Sequence, residues 1–258
     1  MRNLPRHLNE VRSRLLRHDR ILLLLDFDGT LSPLADSPDK AQLPPGTRET
    51  LLRLSSRSRM VVAILSGRPL GYLQSIFGVP AFYYGGNHGL EMKGPNFAFG
   101  HRRARTLKGV IRKVARQFQK AILDVPGALL ENKGLSLALH YRKVPRRHRA
   151  AFDALLDRLR ARTECLPVRL RPGDKVWELG PRVAWDKGRA AKLLLQHLEQ
   201  PFPIALGDDR TDEDMFQVLS RKGITIHVGN RAHSFAEFCL KRQSEVPRFL
   251  RFVEELAR

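Results

Sequence analysis

The chain has 258 residues, enough for one large domain or two modest ones, and its hydrophobic and charged fractions of 42% and 28% are typical of a globular protein. No apolar stretch approaches the ~20 residues of a membrane span, and the two cysteines match no metal-binding or redox spacing. These features exclude a membrane-spanning or disulfide-stabilised chain and predict a cytoplasmic protein.

The formal charge of +20 at pH 7 admits nucleic acid, an acidic membrane surface or anionic small molecules as partners. Residues 101–183 hold most of it, with 21 Lys and Arg against 7 Asp and Glu. A solvated basic surface accounts for most such runs. This segment also has few aromatic side chains on which bases could stack, which argues against nucleic acid.

The first hundred residues alternate predicted helices and strands. The aliphatic run Ile21–Leu25 predicts a strand buried on both faces, which is typical of a central strand in a parallel sheet. Apolar residues at helical spacing predict an amphipathic helix over 1–20, and the prolines of 32–45 predict a loop. The other predictions are helices over 47–57 and 70–77 and strands over 60–65 and 81–84.

The alternation changes in the middle of the chain and then returns. Residues 106–123, 135–141, 148–160 and 168–179 read in turn as helix, strand, helix and strand, a small α+β layer. Helices over 188–198, 213–219 and from residue 247 onward then alternate with strands over 203–206 and 224–228. We therefore predict an α/β doubly wound parallel-sheet core formed by residues 1–102 and 184–258, with an inserted α+β domain over 103–183.

Polar clusters follow four of the predicted strands. Open α/β sheets bind ligands at the carboxyl ends of their strands, so we expect the four clusters to converge on one crevice. In chain order, they are Asp26-Phe27-Asp28-Gly29-Thr30, Ser66-Gly67-Arg68, Gly86-Asn87-His88-Gly89-Leu90-Glu91 and Gly207-Asp208-Asp209-Arg210-Thr211-Asp212-Glu213.

The acidic positions allow more than one reading. Asp26 and Asp28 share a face in extended chain, and two carboxylates held together repel unless a cation or a shared proton intervenes. A lone Asp-x-Asp is also a common solvated strand end. Lys187 alone reads as an ordinary lysine at a helix start, and Asp208 and Asp212 alone read as helix-capping acids.

Together and in this order, the parts resemble the haloacid dehalogenase-like phosphohydrolases. The resemblance implies a Rossmann-like core in which a carboxylate attacks phosphorus and forms an aspartyl-phosphate. It implies Mg²⁺ as the cofactor, a hard cation that suits carboxylate and phosphate oxygens. The implied roles are nucleophile for Asp26, general acid and base for Asp28, phosphoryl binding for Ser66, charge neutralisation for Lys187, and metal binding for Asp26, the Asp28 carbonyl, Asp208 and Asp212.

A narrower resemblance is to the trehalose-6-phosphate phosphatases. Residues 86–91, 131–142 and 207–213 are similar to signatures of that family, and the likeness runs from about residue 21 to about residue 228. It implies hydrolysis of trehalose 6-phosphate in trehalose biosynthesis, beneath a closing cap, with functional coupling to a trehalose-6-phosphate synthase. The implied substrate contacts are Glu131, Lys133 and Glu178 from the inserted domain, and Ser66, Gly67, Arg68, Asn87 and His88 from the core.

Other interpretations stay open at this stage. A phosphatase for another sugar phosphate would use the same architecture, and a nucleic-acid-binding protein or a catalytically silent regulator would represent a different class. His140 alternates with Ser136 and Ala138 along one predicted strand and reads as a half-buried strand histidine.

Overall fold

The computed structural model describes residues 1–35, 37–173, 175–231 and 233–257, apart from the side chain of residue 39. Residues 36, 174 and 258, which fall in segments with predicted structure, lie outside the described residues. By their internal contacts, residues 1–99 and 185–258 form one compact unit and residues 100–184 a second. We call them the core unit and the cap unit.

The elements take their numbers from chain order. The strands are β1 (Arg2–Asn3), β2 (Ile21–Leu25), β3 (Met60–Leu65), β4 (Tyr83–Gly86), β5 (Glu91–Gly94), β6 (Phe97–Gly100), β7 (Leu129–Asn132), β8 (Leu137–His140), β9 (Val168–Gly173), β10 (Val176–Pro181), β11 (Phe202–Gly207), β12 (Ile224–Val228) and β13 (Phe238–Leu240). The α-helices are α1 (Leu8–Leu15), α2 (Thr47–Ser55), α3 (Leu70–Phe77), α4 (Arg102–Thr106), α5 (Lys108–Ala121), α6 (Arg149–Thr163), α7 (Lys187–His197), α8 (Arg210–Leu219) and α9 (Val246–Leu256).

The core unit is organised around β2, at the centre of a sheet with the strand order β1-β13-β12-β11-β2-β3-β4-β5-β6. In this sheet order, every neighbouring pair from β1 to β4 is parallel, and β5 pairs with β4 in the antiparallel sense. Every residue of β2 is buried, as expected for a strand covered on both faces. The doubly wound fold predicted from the sequence is thus confirmed, with an antiparallel extension that was not predicted.

Helices cover the two faces of this sheet. Leu23 points into one apolar cluster with side chains from α1, α2, α3 and α9. Leu24 points into the other, with side chains from α7 and α8. Consecutive residues of a strand face opposite sides of the sheet, so a continuous aliphatic run contributes apolar side chains to both clusters.

The cap unit is an antiparallel sheet in the order β7-β8-β10-β9, with apolar side chains of α5 and α6 packed on one face. The predicted helix–strand–helix–strand order is wrong in detail, because each strand position is occupied by a hairpin. Gly134, at φ +80°, forms the first turn, where its N–H donates to the Asn132 side chain. The α+β class of this unit is as predicted.

Three further predictions needed correction. The helix predicted over 1–20 is confined to α1, because the first residues pair with β13 as an edge strand. The strand predicted over 81–84 is shifted to β4 and is followed by the hairpin of β5 and β6, strands too short to show a clear period. The helix predicted over 213–219 begins at Arg210, because Asp209 caps it. Among the helices that the structure describes, none combines the length and apolarity needed to cross a bilayer.

Candidate active site

The polar clusters of the sequence meet at one edge of the core sheet. Strands β11, β2, β3 and β4 are adjacent and parallel, so their carboxyl ends lie side by side. Asp208, Asp26, Ser66 and Asn87 follow these four strands in that spatial order. The predicted convergence is confirmed for the core residues.

Lys187 is the buried cation of this edge. It is the first residue of α7, which the side chain of Asp186 caps by accepting from the N–H of Arg189. Its Nζ donates to Asp26 Oδ1 at 2.6 Å and to Asp212 Oδ1 at 2.7 Å, and the side chain is 2% exposed. An ammonium this deeply buried is stable only when paired, so the interpretation of Lys187 as an ordinary helix-start lysine is wrong.

Asp212 serves the fold and the site together. Its Oδ2 accepts from the backbone N–H groups of Asp208 and Asp209 at 3.1 and 3.0 Å, and it forms a capping box with Asp209 at the start of α8. Its other oxygen binds Lys187. The capping interpretation is therefore correct for this residue, but it accounts for only half of the carboxylate.

Three carboxylates form a cluster that could hold a cation. Asp26, Asp208 and Asp212 each offer one oxygen, and the three oxygens lie within 4.8 Å of one another. Thr30 donates to Asp208 Oδ1 at 3.2 Å, and Gly29, at φ +83°, turns the chain so closely past Asp208 that a Cβ there would overlap the carboxylate. Hard divalent cations such as Mg²⁺ take just such oxygen ligands, so the donor set fits that group.

Burial and mutual repulsion shift the pKa values of the ionisable groups in this cluster. Burial raises the pKa of Asp26 well above its ordinary value, although Lys187 opposes the shift. Burial and the Asp212 charge raise the pKa of Asp208 to about 7. Burial would lower the pKa of Lys187, but Asp212 and Asp26 outweigh it and raise that pKa. A divalent cation bound to Asp26 and Asp208 would favour the ionised forms of these two carboxylates.

Asp28 is held by Arg68 through both oxygens. Arg68 Nε donates to Asp28 Oδ2 at 2.7 Å and Nη2 donates to Oδ1 at 2.5 Å, a bidentate ion pair. The same guanidinium donates to the Pro38 carbonyl at 2.8 Å and lies 4.9 Å from the Tyr72 ring centroid. The resemblance implied a substrate contact for Arg68, and its pairing with Asp28 was not predicted.

The loop after β4 is tied to the loop after β3. Asn87 N–H donates to the Arg68 carbonyl and His88 N–H to the Ser66 carbonyl, each at 2.8 Å. Asn87 and His88 have φ of 50° and 58°, a conformation that costs free energy in residues other than glycine. At Gly67 a Cβ would lie 2.8 Å from the His88 ring, so any larger residue there would have to displace that ring. These five residues therefore link the two loops, and the backbone strain lies at Asn87 and His88.

The cap unit, taken by itself, contains a second polar cluster. Lys133 Nζ donates to Glu178 Oε1 at 2.7 Å, and His140 Nε2 contacts Glu131 Oε2 at 2.9 Å. Glu131, Ala138 and Glu178 are register partners across three strands, so the two carboxylates flank a small residue. The structure places Glu131 and Glu178 on the same face of the cap sheet, where Lys133 contacts Glu178 and His140 contacts Glu131.

One supporting residue was invisible to sequence reasoning. Gln243 Nε2 donates to the carbonyls of Thr30 and Leu31 at 3.1 and 3.0 Å, fixing the turn that follows the Asp26 motif. More than two hundred positions separate these partners, and a lone glutamine carries no pattern that points to such a contact.

Comparison with known proteins agrees with this geometry. Residues 24–244 match the family described as trehalose-phosphatase. The chain is 35% identical over 263 residues to a probable trehalose-phosphate phosphatase of Oryza sativa subsp. japonica, covering 90% of this chain and 69% of the relative.

Two solved structures share the fold. The C-terminal domain of trehalose-6-phosphate phosphatase from C. albicans superposes with a TM-score of 0.81 at 22% identity, covering 96% of this chain and 97% of that chain. A haloacid dehalogenase-like hydrolase from Bacteroides thetaiotaomicron superposes at 0.63 with 15% identity, covering 91% and 99%. The fold is therefore haloacid dehalogenase-like, and the chain belongs to the trehalose-phosphatase family.

Proposed function

We propose that this protein is a Mg²⁺-dependent phosphomonoesterase that hydrolyses trehalose 6-phosphate to trehalose and phosphate through an aspartyl-phosphate. The observation that carries the proposal is the buried Lys187 bridging Asp26 and Asp212, with Asp208 beside them. A structural ion pair needs only one carboxylate, whereas three carboxylates around one ammonium suit a site that neutralises phosphate with a second cation.

In the first step Asp26 attacks phosphorus. Lys187 binds its Oδ1, so attack falls to Oδ2. A new O–P bond forms, the ester O–P bond breaks, and the leaving sugar oxygen takes a proton from Asp28. Lys187 donates to the nucleophile and opposes the effect of burial on its pKa, and it balances charge that develops on the phosphoryl oxygens, which Ser66 helps to bind.

In the second step water attacks the phosphorus of the aspartyl-phosphate, and Asp28 takes the proton of that water. The O–P bond to Asp26 breaks, and the carboxylate and free phosphate are restored. The bidentate pair with Arg68 engages both oxygens of Asp28. When Asp28 carries the proton, this pair loses the charge of the carboxylate and becomes weaker.

Asp26, Asp208 and the carbonyl of Asp28 would hold Mg²⁺, with Asp212 assisting from behind. When bound, the ion supplies positive charge to the phosphate oxygens and favours ionised carboxylates. Both oxygens of Asp212 already accept hydrogen bonds, which suits it to orient Lys187 and the start of α8.

The sugar specificity belongs to the cap unit. We assign Glu131, Lys133 and Glu178 to the glucosyl hydroxyls, because carboxylates accept and ammonium groups donate the hydrogen bonds that vicinal hydroxyls offer. A site built around hydroxyls rejects sugars that leave such groups unpaired. We assign Gly67, Arg68, Asn87 and His88 of the core unit to phosphate and substrate binding, and a trehalose-6-phosphate synthase would supply the substrate.

The test is phosphate release with Mg²⁺ from trehalose 6-phosphate, sucrose 6-phosphate, glucose 6-phosphate and para-nitrophenyl phosphate, repeated with Asp26→Asn. Strong preference for trehalose 6-phosphate, lost in the variant, is the expected result. Comparable weak turnover of all four would retain the phosphatase chemistry and reject the sugar assignment. Absence of release from every substrate would reject the enzyme.

A further inference from the structure

We propose that His140 is a positioning residue for sugar recognition: its imidazole holds the Glu131 carboxylate in the orientation that accepts a substrate hydroxyl. The inference rests on the proposed function, which gives Glu131 that hydroxyl. It assigns a role to a residue that the sequence pattern explains only as a strand histidine.

The contact follows from the strand register. Glu131 of β7 pairs with Ala138 of β8, and His140 lies two residues further along β8 on the same face. The two side chains are therefore diagonal neighbours, a spacing that long side chains can bridge. His140 Nε2 reaches Glu131 Oε2 at 2.9 Å.

Proton placement makes His140 the donor. An ionised carboxylate carries no hydrogen, so a contact of this length requires a hydrogen on Nε2. Either the neutral Nε2–H tautomer or the imidazolium satisfies this condition. The imidazole thereby restricts the rotatable carboxylate of Glu131, and a carboxylate can accept from several donors at once.

The cap sheet repeats this arrangement on the other side of Ala138. Glu178 is the register partner of Ala138 on β10, and Lys133 Nζ holds its Oε1 at 2.7 Å. The two carboxylates therefore lie on one sheet face with Ala138 between them, and a donor contacts each. This arrangement suits the recognition of hydroxyls at defined positions on a sugar. Packing of His140 within the strand would not by itself require its contact with the carboxylate of Glu131.

The test compares His140→Ala with His140→Gln, which keeps a donor nitrogen at the end of the side chain. The readout is the ratio of kcat/KM for trehalose 6-phosphate to kcat/KM for para-nitrophenyl phosphate. We expect His140→Ala to lower this ratio about tenfold, mainly through KM, the size of a lost hydrogen bond to a charged group. We expect His140→Gln to recover most of the loss, and the matched cap variant His148→Ala to keep the wild-type ratio.

A double-mutant cycle with Glu131→Gln separates positioning from an independent role. If His140 acts through Glu131, His140→Ala adds little to the Glu131→Gln variant. Equal effects in both backgrounds, or a ratio unchanged by His140→Ala while Glu131→Gln lowers it, would overturn the inference alone. A ratio unchanged by Glu131→Gln would overturn the sugar assignment, and the inference with it.

Discussion

Replacing Lys187 with methionine tests the electrostatic account of the site. Methionine fills a similar volume but leaves Asp26 and Asp212 without the ammonium that binds both. The two carboxylates are 7% and 0% exposed, so water cannot replace the lost cation. The variant should therefore be less stable as well as inactive.

The size of the effect follows from burial and pairing. Removing one partner of a buried ion pair costs about 3–5 kcal/mol, because the remaining charge is left uncompensated. The pKa of Lys187 is raised in the folded protein, so its contribution is fully present at pH 7.5 and would be lost only at much higher pH. Burial raises the pKa of Asp26, so this carboxylate takes up a proton as the pH falls, and the deficit should shrink towards pH 5.

The assay is urea unfolding of the wild type and Lys187→Met at pH 7.5 and pH 5.0, each with EDTA and with Mg²⁺. Lys192→Met, on the exposed side of the same helix, is the matched control and should change stability by less than about 0.5 kcal/mol. A Lys187→Met variant as stable as the wild type at pH 7.5 in EDTA would refute the reasoning. So would a deficit of the same size at both pH values.

Three further predictions concern the metal cluster. Asp208, whose pKa is about 7, must be ionised to bind a cation, so the Mg²⁺ affinity measured by thermal shift should fall about tenfold per pH unit below 7; equal affinity at pH 6 and pH 8 would contradict this. Gly29→Ala should abolish stabilisation by Mg²⁺. Gly46 has a similar φ of 76° but no atom within 4 Å of the new Cβ, so Gly46→Ala should keep that stabilisation and lower the unfolding free energy by only about 1 kcal/mol. Equal loss of Mg²⁺ stabilisation in both variants would exclude the close approach to Asp208 as the cause. Thr30→Val removes a hydrogen bond that lowers the pKa of Asp208, so the pH of half-maximal Mg²⁺ stabilisation should rise, and an unchanged midpoint would mean that this hydrogen bond is unimportant.

Sequence reasoning was most accurate where one element determines its own pattern. The aliphatic runs Ile21–Leu25 and Met60–Leu65 predicted the bounds of two strands, because a strand buried on both faces is apolar along its whole length. The short strands β5, β6 and β7 were missed, because neither an aliphatic run nor a clear alternation of apolar and polar residues marks them.

The position of the candidate site at one sheet edge could be predicted from the sequence, but the contacts between its side chains could not. Motifs identified Asp26, Lys187 and Asp212, and their order along the chain implied one sheet edge. The pairing of Arg68 with Asp28 and that of His140 with Glu131 depend on side-chain direction and strand register. Those are properties of the folded chain that no local pattern encodes.

The most direct measurement of the central claim is chemical trapping at Asp26. The enzyme would be mixed with trehalose 6-phosphate and Mg²⁺, quenched in acid within one turnover and reduced with borohydride, which converts an aspartyl-phosphate to homoserine. Mass spectrometry of the peptide that contains residues 21–31 should then show homoserine at position 26 and unchanged aspartate at position 28. Rapid phosphate release with unmodified Asp26 in every quench would contradict the account and point to direct attack by water.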